Sequence, residues 1–519
     1  MSRLRSALGW LIVAGLFISQ LWLFKDFSID DAFITFRYVQ QFVAGHGLVF
    51  NIGERVEGYS NFLWVMLLAL PAALDIELLD AARAMAIALS AGALLVTYRL
   101  ADASPAPILA PIMLAAYAPF AAWTMGGLET TLFAFLAAAS TYVFIREEER
   151  GRGAVSGLLF GLLALARPEG ILFFGLAVVF RLRYIWTGKD DASPRGHEDT
   201  KREALPSRLR GFLSRMQRRD WLRLAGFGVL LIPHLLWRLS YYGRPLPNTV
   251  YAKAIGLHPR AFIEGGHYLF DGAATLGGLG FLVIPITLVV LKGRMLRYDF
   301  LLACVAAYAL FVFAGGGDWM PMQRFWVHIA PLLFVLAHAG LMILAGLISP
   351  ARPILAGAGL ALAQAAFLYL GALDARFVQG MGRPAAPQSR TMVDYLRERW
   401  QPGDVIAVTD AGGLAYALPL EARVVDMFGL TDAHIAHLRP QFPSGLFGRG
   451  DGFGKWDVDY VLAQNPRFIQ VHVIAKAPDG TFIVDNTSNR LLVNDPRFKA
   501  RYRQVADTPE LQGLFERIQ

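Results

Sequence analysis

The chain is divided into apolar blocks long enough to cross a lipid bilayer, and these blocks limit its possible folds more than any other feature. A helix needs about 20 apolar residues to span the hydrocarbon core. The blocks cover residues 8–24, 60–74, 84–100, 106–122, 129–145, 153–166, 169–185, 223–241, 272–291, 299–316, 325–347 and 353–373. Only 17% of the 519 residues are charged, whereas soluble proteins average about 25%. The sequence therefore predicts a polytopic α-helical membrane protein.

The character of the chain changes after residue 373. The rest is mixed in polarity, with Pro and Gly turns and short β-branched runs at 404–409, 423–425, 468–473 and 481–484. Such runs are typical of strands. We therefore divide the chain into a transmembrane domain, residues 1–373, and a small soluble α/β domain, residues 374–519.

Lys and Arg residues predict the orientation, because short loops rich in them stay in the cytoplasm. The loop at 181–223 carries the largest group, and 146–152 and 292–297 carry others. If block 60–74 crossed the membrane, the loops at 146–152 and 181–223 could not both be cytoplasmic while Asp30 is outside. Without that crossing, these loops are cytoplasmic and the tail after residue 373 is outside. That block is short, so we expect a juxtamembrane helix there, and about eleven true spans.

Several functions are disfavoured by the residues. The formal charge of +8 reflects mainly a predicted cytoplasmic loop, so we expect no nucleic-acid partner. The single cysteine, Cys304, excludes an intrachain disulfide. The sequence also lacks a Gly-x-Ser-x-Gly elbow, a His-Glu-x-x-His motif, a Cys-x-x-Cys pair and a phosphate-binding P-loop.

Carboxylates stand in the loops that this topology places outside, where ionisable residues are expected to line a functional cavity. Asp30 and Asp31 directly follow the first apolar block. Adjacent carboxylates raise each other's pKa, which suits a general base. The sequence leans towards Asp30 as that base, and solvation of the helix end is the alternative. Glu129 begins a predicted helix, where it serves either catalysis or the helix dipole.

Other polar residues of the same loops are candidates for binding substrate. Arg324 opens a span at its outer end, against the positive-inside trend, and phosphate binding is a natural use of such an arginine. Arg244 and Lys253 are alternatively snorkelling residues, and Arg167 and Glu169 pair with each other. The substrate-binding candidates are Arg37, a possible partner of the aspartates, with Arg244, Asn248, Tyr251, Lys253, Asp318, Arg324 and His328.

The run from Asp30 to Trp64, which begins DDAFITFRY and ends GYSNFLW, resembles the first outer loop of GT-C fold glycosyltransferases. Within that fold it is similar to the terminal β-(1→2)-arabinofuranosyltransferase type of bacterial envelope enzymes. Three further segments are similar too, namely PNT at 247–249, GGDW at 316–319 with Arg324, and VDMFGLTD at 425–432. By this resemblance the acidic motif of the family maps onto Asp30 and Asp31, and its second acidic position onto Glu129.

The resemblance implies an inverting glycosyltransferase that uses a polyprenyl-phosphate sugar donor, with arabinofuranose or a similar monosaccharide. The acceptor would be a glycan or lipid-linked molecule of the cell envelope. The protein would be a multi-pass protein of the bacterial inner membrane, in contact with membrane lipids, with its C-terminal domain extracytoplasmic. The sequence requires no cofactor, although a divalent cation is compatible with this fold. It leaves open the sugar, the acceptor and the oligomeric state.

Two other functions are compatible with the sequence. One is a transporter or flippase of a lipid-linked sugar, and the other is a non-catalytic envelope assembly protein. The sequence lacks the internal repeats of many transporters, and its charges collect on one predicted face instead of at the midplane.

Overall fold

The computed structural model describes residues 2–186, 216–253, 259–292, 295–373, 390–441, 454–477 and 481–518. Residues up to 373 form a helical bundle, which follows the apolar blocks of the sequence. The helices of the bundle, in chain order, are α1 (Ser2–Leu23), α2 (Asp30–Val43), α3 (Phe62–Ala73), α4 (Leu78–Leu100), α5 (Leu109–Ala116), α6 (Ala118–Met125), α7 (Thr130–Arg150), α8 (Val155–Ala166), α9 (Ile171–Trp186), α10 (Arg218–Tyr242), α11 (Asn248–Lys253), α12 (Pro259–Thr275), α13 (Ile284–Lys292), α14 (Leu296–Gly315), α15 (Arg324–Ile348) and α16 (Pro353–Ala372).

Several of these helices are long and apolar enough to cross a bilayer. Within the described ranges there are five, or six if the pair Pro259–Thr275 and Leu279–Lys292, bent by 82°, counts as one span. The five are Leu78–Ala103, Arg218–Tyr242, Leu296–Gly315, Pro321–Ile348 and Pro353–Gly371. The predicted multi-pass helical architecture is confirmed, whereas the number of about eleven spans stays a prediction.

The first loop carries two helices of its own. Helix α2 begins with Asp30 and Asp31 in its first turn, where carboxylates are stabilised by the helix dipole. Helix α3 has 12 residues, which gives a length of about 18 Å at 1.5 Å per residue. Because the hydrocarbon core is about 30 Å thick, α3 alone is too short to span it, but α8 has the same length. The juxtamembrane placement of block 60–74 therefore stays a prediction.

Helix α15 lies at the centre of the bundle, and 72% of the residues in its apolar stretch are buried inside the protein. It packs against α4, α5, α7, α13, α14 and α16. Its first residue is Arg324, so the central helix carries this arginine to one end of the bundle. At the same end, α10 stops at Gly243, which has a φ of 69°, the left-handed conformation that commonly ends helices. The short helix α11 follows and carries Lys253.

The C-terminal part is an α/β unit around a five-stranded sheet of order β2-β1-β3-β7-β6. Strand β1 pairs in parallel with β2 and β3, while β7 is antiparallel to β3 and β6. The strands are β1 (Val405–Val408), β2 (Arg423–Asp426), β3 (Phe468–Gln470), β4 (Val473–Lys476), β5 (Phe482–Val484), β6 (Tyr502–Gln504) and β7 (Leu514–Arg517), with β4 and β5 forming a separate hairpin. Its helices are α17 (Arg390–Arg399), α18 (Gly413–Ala417), α19 (Ala433–Ala436), α20 (Val458–Ala463), α21 (Thr487–Asn494) and α22 (Pro496–Arg501).

Buried hydrogen bonds attach the C-terminal part to the bundle. Asn51 pairs with both backbone groups of Val424, accepting from its N–H at 2.9 Å and donating to its carbonyl at 2.9 Å. Lys455 donates to the carbonyls of Tyr251 and Ala436, at 2.6 Å each. The first loop, the loop after α10 and the C-terminal part therefore lie at one end of the bundle.

Candidate active site

A cavity of about 60 Å³, called here the cationic cavity, lies where several polar loops meet at the end of the bundle that contacts the C-terminal part. It brings together four residues that the sequence predicted for the site, Asp31, Glu129, Lys253 and Arg324. The remaining lining residues are Ile34, Thr35, Gly58, Tyr59, Ser60, Asn61, Leu128, Arg167, Thr249 and Leu430. The lining thus combines three positive side chains with two carboxylates, Asp31 at the start of α2 and Glu129.

Asp31 faces this cavity from the first turn of α2. Burial raises the pKa of the Asp31 carboxyl, and the positive charges of Lys253 and Arg324 partly oppose that rise. Within the residues that the structure describes, no protein group donates a hydrogen bond to the Asp31 carboxylate. A carboxylate with a raised pKa and free lone pairs is suited to take a proton from a substrate hydroxyl.

Asp30, the adjacent carboxylate, has a different environment. Its Oδ2 accepts a hydrogen bond from the backbone N–H of Gly412 at 2.9 Å, and its Oδ1 accepts one from Gly413 at 2.7 Å. A Cβ on Gly412 would lie 1.9 Å from the Asp30 carbonyl oxygen, so this approach requires glycine. Burial, with help from nearby Asp410, raises the pKa of Asp30 to about 7. The geometry therefore gives Asp30 an anchoring contact and favours Asp31 as the base, against the leaning of the sequence.

Glu129 and Arg167 form a buried pair at the cavity. Arg167 Nη1 lies 2.5 Å from Glu129 Oε1, and its Nε also pairs with Glu169. The other carboxylate oxygen of Glu129 accepts from Asn61 Nδ2 at 2.7 Å. Both oxygens of Glu129 are thus used by protein groups, so the residue holds Arg167 in place and is not free to act as a base.

Arg167 is therefore a site residue that the sequence reasoning underestimated. The pairing of Arg167 with Glu169 was foreseen, but the additional contact with Glu129 and the place in the cavity were not. A signal was present, since Arg167 stands between two apolar blocks at the predicted outer face, as Arg324 does.

Arg324 is held rigidly at the start of α15. Its Nε lies 2.8 Å from Asp318 Oδ2, and its guanidinium lies 5.7 Å from the centre of the Trp123 ring. The two residues before it, Met322 and Gln323, have φ of 59° and 46°. Such left-handed conformations at non-glycine residues cost on the order of 1–3 kcal/mol each and often occur at functional sites.

Lys253 adds a third positive charge from the last residue of α11. Burial lowers the pKa of this amine, whereas the carboxylate of Asp31 raises it. Lys253, Arg167 and Arg324 come from three separate segments of the chain. Their positive side chains surround one space next to Asp31. Such a group is suited to hold a phosphate.

Two predicted substrate-binding residues instead join the two parts of the protein. The fully buried Arg37 donates to the carbonyls of Phe50 at 3.0 Å and Ala422 at 2.8 Å, and also to Ala415. Asn248 Nδ2 donates to three carbonyls of the C-terminal part, those of Gly429, Leu430 and Asp432. The prediction that they contact substrate is not supported, because backbone carbonyls occupy their donors.

Three other predicted residues also lie outside the cationic cavity. Arg244 and Tyr251 line a separate cavity of about 330 Å³, where the Tyr251 ring stacks on His437 with centres 4.7 Å apart. His328 is buried inside the bundle, with its Nδ1 2.5 Å from the Tyr308 hydroxyl. None of the three contacts the space next to Asp31.

A second cavity of about 220 Å³, called here the acidic cavity, lies between the bundle and the C-terminal part and shares Asp31 with the cationic cavity. The sequence reasoning missed three of its members, Asp410, His472 and Asp485, because they are far apart in the chain, whereas Trp319 belongs to the GGDW segment at 316–319. Across the described ranges, no cluster of three or more His, Cys, Asp or Glu side chains is arranged to hold a metal ion. The sequence requires no divalent cation, and its compatibility with one stays a prediction.

Comparison with known proteins agrees with this architecture. A family model described as a domain of unknown function (DUF8728) matches residues 379–515. A terminal β-(1→2)-arabinofuranosyltransferase of Corynebacterium glutamicum is 26% identical over 60% of this chain and 47% of its own length. The protein of the same name from Mycobacterium tuberculosis is 27% identical over 43% of this chain and 34% of its own length. The chain thus spans less than half the length of the curated relatives it matches.

Among solved structures, ArnT from Cupriavidus metallidurans, crystallised with undecaprenyl phosphate, superposes with a TM-score of 0.53. The match covers 80% of this chain and 84% of ArnT. Because the sequence identity is only 12%, the match shows a similar fold and nothing about activity. The chain is a membrane protein with the GT-C fold, as the first-loop resemblance predicted. It is similar in sequence to two terminal β-(1→2)-arabinofuranosyltransferases.

Proposed function

We propose that this protein is an inverting glycosyltransferase that moves arabinofuranose, or a similar sugar, from a polyprenyl-phosphate donor to an acceptor of the cell envelope. The observation that carries the proposal is the cationic cavity, in which one raised-pKa carboxylate, Asp31, adjoins Arg167, Lys253 and Arg324. This is the combination that a transfer from a sugar phosphate needs, namely a base for the acceptor and positive charge for the leaving group.

In the proposed reaction Asp31 takes the proton of an acceptor hydroxyl as that oxygen attacks the anomeric carbon. The bond between the anomeric carbon and the phosphate oxygen breaks, and the polyprenyl phosphate leaves with the bonding electron pair. Arg167, Lys253 and Arg324 stabilise its increased negative charge. A single displacement of this kind inverts the anomeric configuration.

Each part of the donor has separate support. The relatives are named arabinofuranosyltransferases, which supports the sugar. ArnT, which has the same fold, was crystallised with undecaprenyl phosphate, which supports the lipid carrier. The apolar helices at whose ends the cavity lies offer a lipid-facing surface for the polyprenyl chain.

The proposed location is the bacterial inner membrane, with the cationic cavity and the C-terminal part on the extracytoplasmic side. Two observations support this orientation. The Lys- and Arg-rich loop at 181–223 is expected to stay in the cytoplasm. The loops that build the cavity lie at the same end of the bundle as the C-terminal part, through contacts such as that of Asn51 with Val424.

The experiment is an assay of the purified chain in proteoliposomes with radiolabelled polyprenyl-phosphate arabinofuranose and a synthetic arabinofuranose-terminated acceptor. A transferase releases polyprenyl phosphate and labels the acceptor. A flippase moves intact donor between leaflets without releasing the phosphate, and an assembly protein does neither. Intact donor throughout, with an unlabelled acceptor, would contradict the proposal.

A further inference from the structure

The acidic cavity lies where a sheet of this kind is expected to take a ligand. Strands β2, β1 and β3 are parallel, so their carboxyl ends lie at one edge. In the sheet order β2-β1-β3, the chain passes from β1 to β2 on one side and then crosses to β3 on the other side of β1. The gap between β1 and β3 is therefore a topological switch point. Open α/β sheets bind ligands outside the carboxyl ends of the strands at such a point.

The residues that follow these strands line the cavity. Asp410 comes two residues after β1, Phe428 two residues after β2, and His472 two residues after β3. The opposite wall comes from the bundle, with Asp30 and Asp31 at the start of α2. The cavity is thus built jointly by the two parts of the protein, and Asp31 stands where it meets the cationic cavity.

His472 fixes the polar side of the cavity. Its Nδ1 lies 2.7 Å from Asp485 Oδ2, and its Nε2 pairs with Asp410. Burial lowers the pKa of His472, but hydrogen bonds to the two carboxylates outweigh burial and raise it to about 10. The imidazole is therefore protonated and donates from both nitrogens, which holds Asp410 and Asp485 in fixed positions.

Aromatic side chains provide the apolar side. Trp319 and Phe428 line the cavity, and Trp319 remains 44% exposed although it lies between the two parts. Carboxylates only accept hydrogen bonds, so they match hydroxyl groups, while the C–H face of a sugar ring can pack on an aromatic ring. The volume, about 220 Å³, lies below the usual range of ligand pockets, about 300–1,000 Å³, so the cavity suits only a small occupant such as one sugar unit.

The charge of the lining selects among sugars. Asp30, Asp31, Asp410, Asp426 and Asp485 line the acidic cavity together with one protonated histidine, His472. Like charges repel strongly where water is scarce, so a phosphate or carboxylate on the ligand is disfavoured. The cationic cavity on the other side of Asp31 has the opposite preference.

We propose that the acidic cavity is the acceptor site and that it takes an uncharged sugar unit, presenting one hydroxyl to Asp31. This inference rests on the proposed transferase function, and it assigns the second substrate to the C-terminal part. The donor phosphate lies on the cationic side and the neutral acceptor on the acidic side, so the reacting oxygen and the anomeric carbon meet beside the base.

The test measures Michaelis constants in proteoliposomes for the wild type, Trp319→Ala, Trp319→Phe and His472→Gln. We expect Trp319→Ala and His472→Gln to raise the KM for a neutral arabinofuranoside acceptor by about tenfold or more, as loss of an anchoring contact does. The KM for donor should change by less than about twofold, because these variants weaken the binding of the acceptor and leave the donor contacts intact. Trp319→Phe, which keeps an aromatic ring, should recover most of the loss.

Trp22→Ala is the matched control, because Trp22 is an exposed tryptophan on α1 that lines neither cavity. It should leave both Michaelis constants unchanged. In the wild type, an acceptor of the same structure bearing one phosphate should be used at least about tenfold less well, because the carboxylates repel it.

The results separate this inference from the proposed function. A wild type that releases no polyprenyl phosphate contradicts the function itself. A wild type that transfers normally, with variants that keep the acceptor KM or raise the donor KM equally, contradicts only the acceptor site. Equal use of the neutral and phosphorylated acceptors would also overturn it.

Discussion

The two cavities that meet at Asp31 differ in charge and in the elements that build them. The cationic cavity is built mainly by loops and helix ends of the bundle and gathers Arg167, Lys253 and Arg324. The acidic cavity is built largely by loops that follow parallel strands and gathers carboxylates around His472. The difference teaches that two spaces of opposite charge can adjoin one carboxylate, and on this basis we propose separate sites for a phosphate-bearing and a neutral substrate.

The largest expected effect comes from Asp31, the carboxylate that both cavities share. Asp31→Asn keeps the shape of the side chain but removes its capacity to accept a proton, and we expect transfer to fall by about 10²–10⁴. Single-turnover assays with saturating donor and acceptor measure the loss. Asp30→Asn is the matched control and should lose much less, because Asp30 serves the contact with Gly412 and Gly413. The reverse order would assign the base to Asp30.

The next effect tests the cationic side alone. Arg324→Gln removes one charge facing the leaving phosphate, so kcat/KM for donor should fall on the order of 10². Arg324→Lys should recover part of it, since it keeps the charge but not the planar fork. Arg260→Gln, which removes an exposed arginine paired with Glu264, is the control. A change confined to the acceptor KM would contradict the division between the cavities.

A third prediction concerns the joint between the regions that carry the two cavities. Arg37→Met leaves buried carbonyls of the C-terminal part without donors, and we expect the free energy of unfolding to fall by roughly 2–5 kcal/mol. Denaturant titration followed by limited proteolysis measures it. Arg423→Gln breaks an exposed pair with Glu54 and should cost less than about 1 kcal/mol. Equal effects would mean that burial of Arg37 contributes little.

The smallest effect is a shift in pH dependence. The base must be ionised, and burial raises the pKa of Asp31 above its usual value of 3.8. Activity should therefore be present at high pH and lost as the pH falls through that raised pKa, so the acid limb of kcat/KM lies at a higher pH than an ordinary aspartate would give. If Asp31 is the base, the limb persists in Asp30→Asn. Its disappearance there would attribute it to Asp30, whose pKa is about 7.

The sequence predicted the fold class because the length of an apolar segment can be read directly from consecutive residues. It also singled out Asp31, Lys253 and Arg324, since charges near apolar helix ends need a reason to be there, and the structure brings these three to one cavity. It could not separate them from Arg37, because a buried arginine that satisfies backbone carbonyls has the same sequence context as one that binds phosphate. Only the three-dimensional structure shows which donors are already occupied.

The acidic cavity was beyond the sequence for a different reason. Asp410 and His472 become neighbours only because β1 and β3 pair in parallel across a long stretch of chain. The sequence located these strands approximately, at 404–409 and 468–473, but their pairing determines which loops meet. Strand order is a non-local property, so the side chains at the sheet edge could not be grouped in advance.

Asp30 and Asp31 are consecutive residues on one helical turn, and this adjacency links attachment to chemistry. The first holds the C-terminal part through Gly412 and Gly413, and the second faces the cationic cavity. Withdrawal of the C-terminal part would release the backbone that orients the base and admit water beside it. In the transfer proposed above, a base that is positioned only when the C-terminal part is seated would protect an activated sugar lipid from hydrolysis.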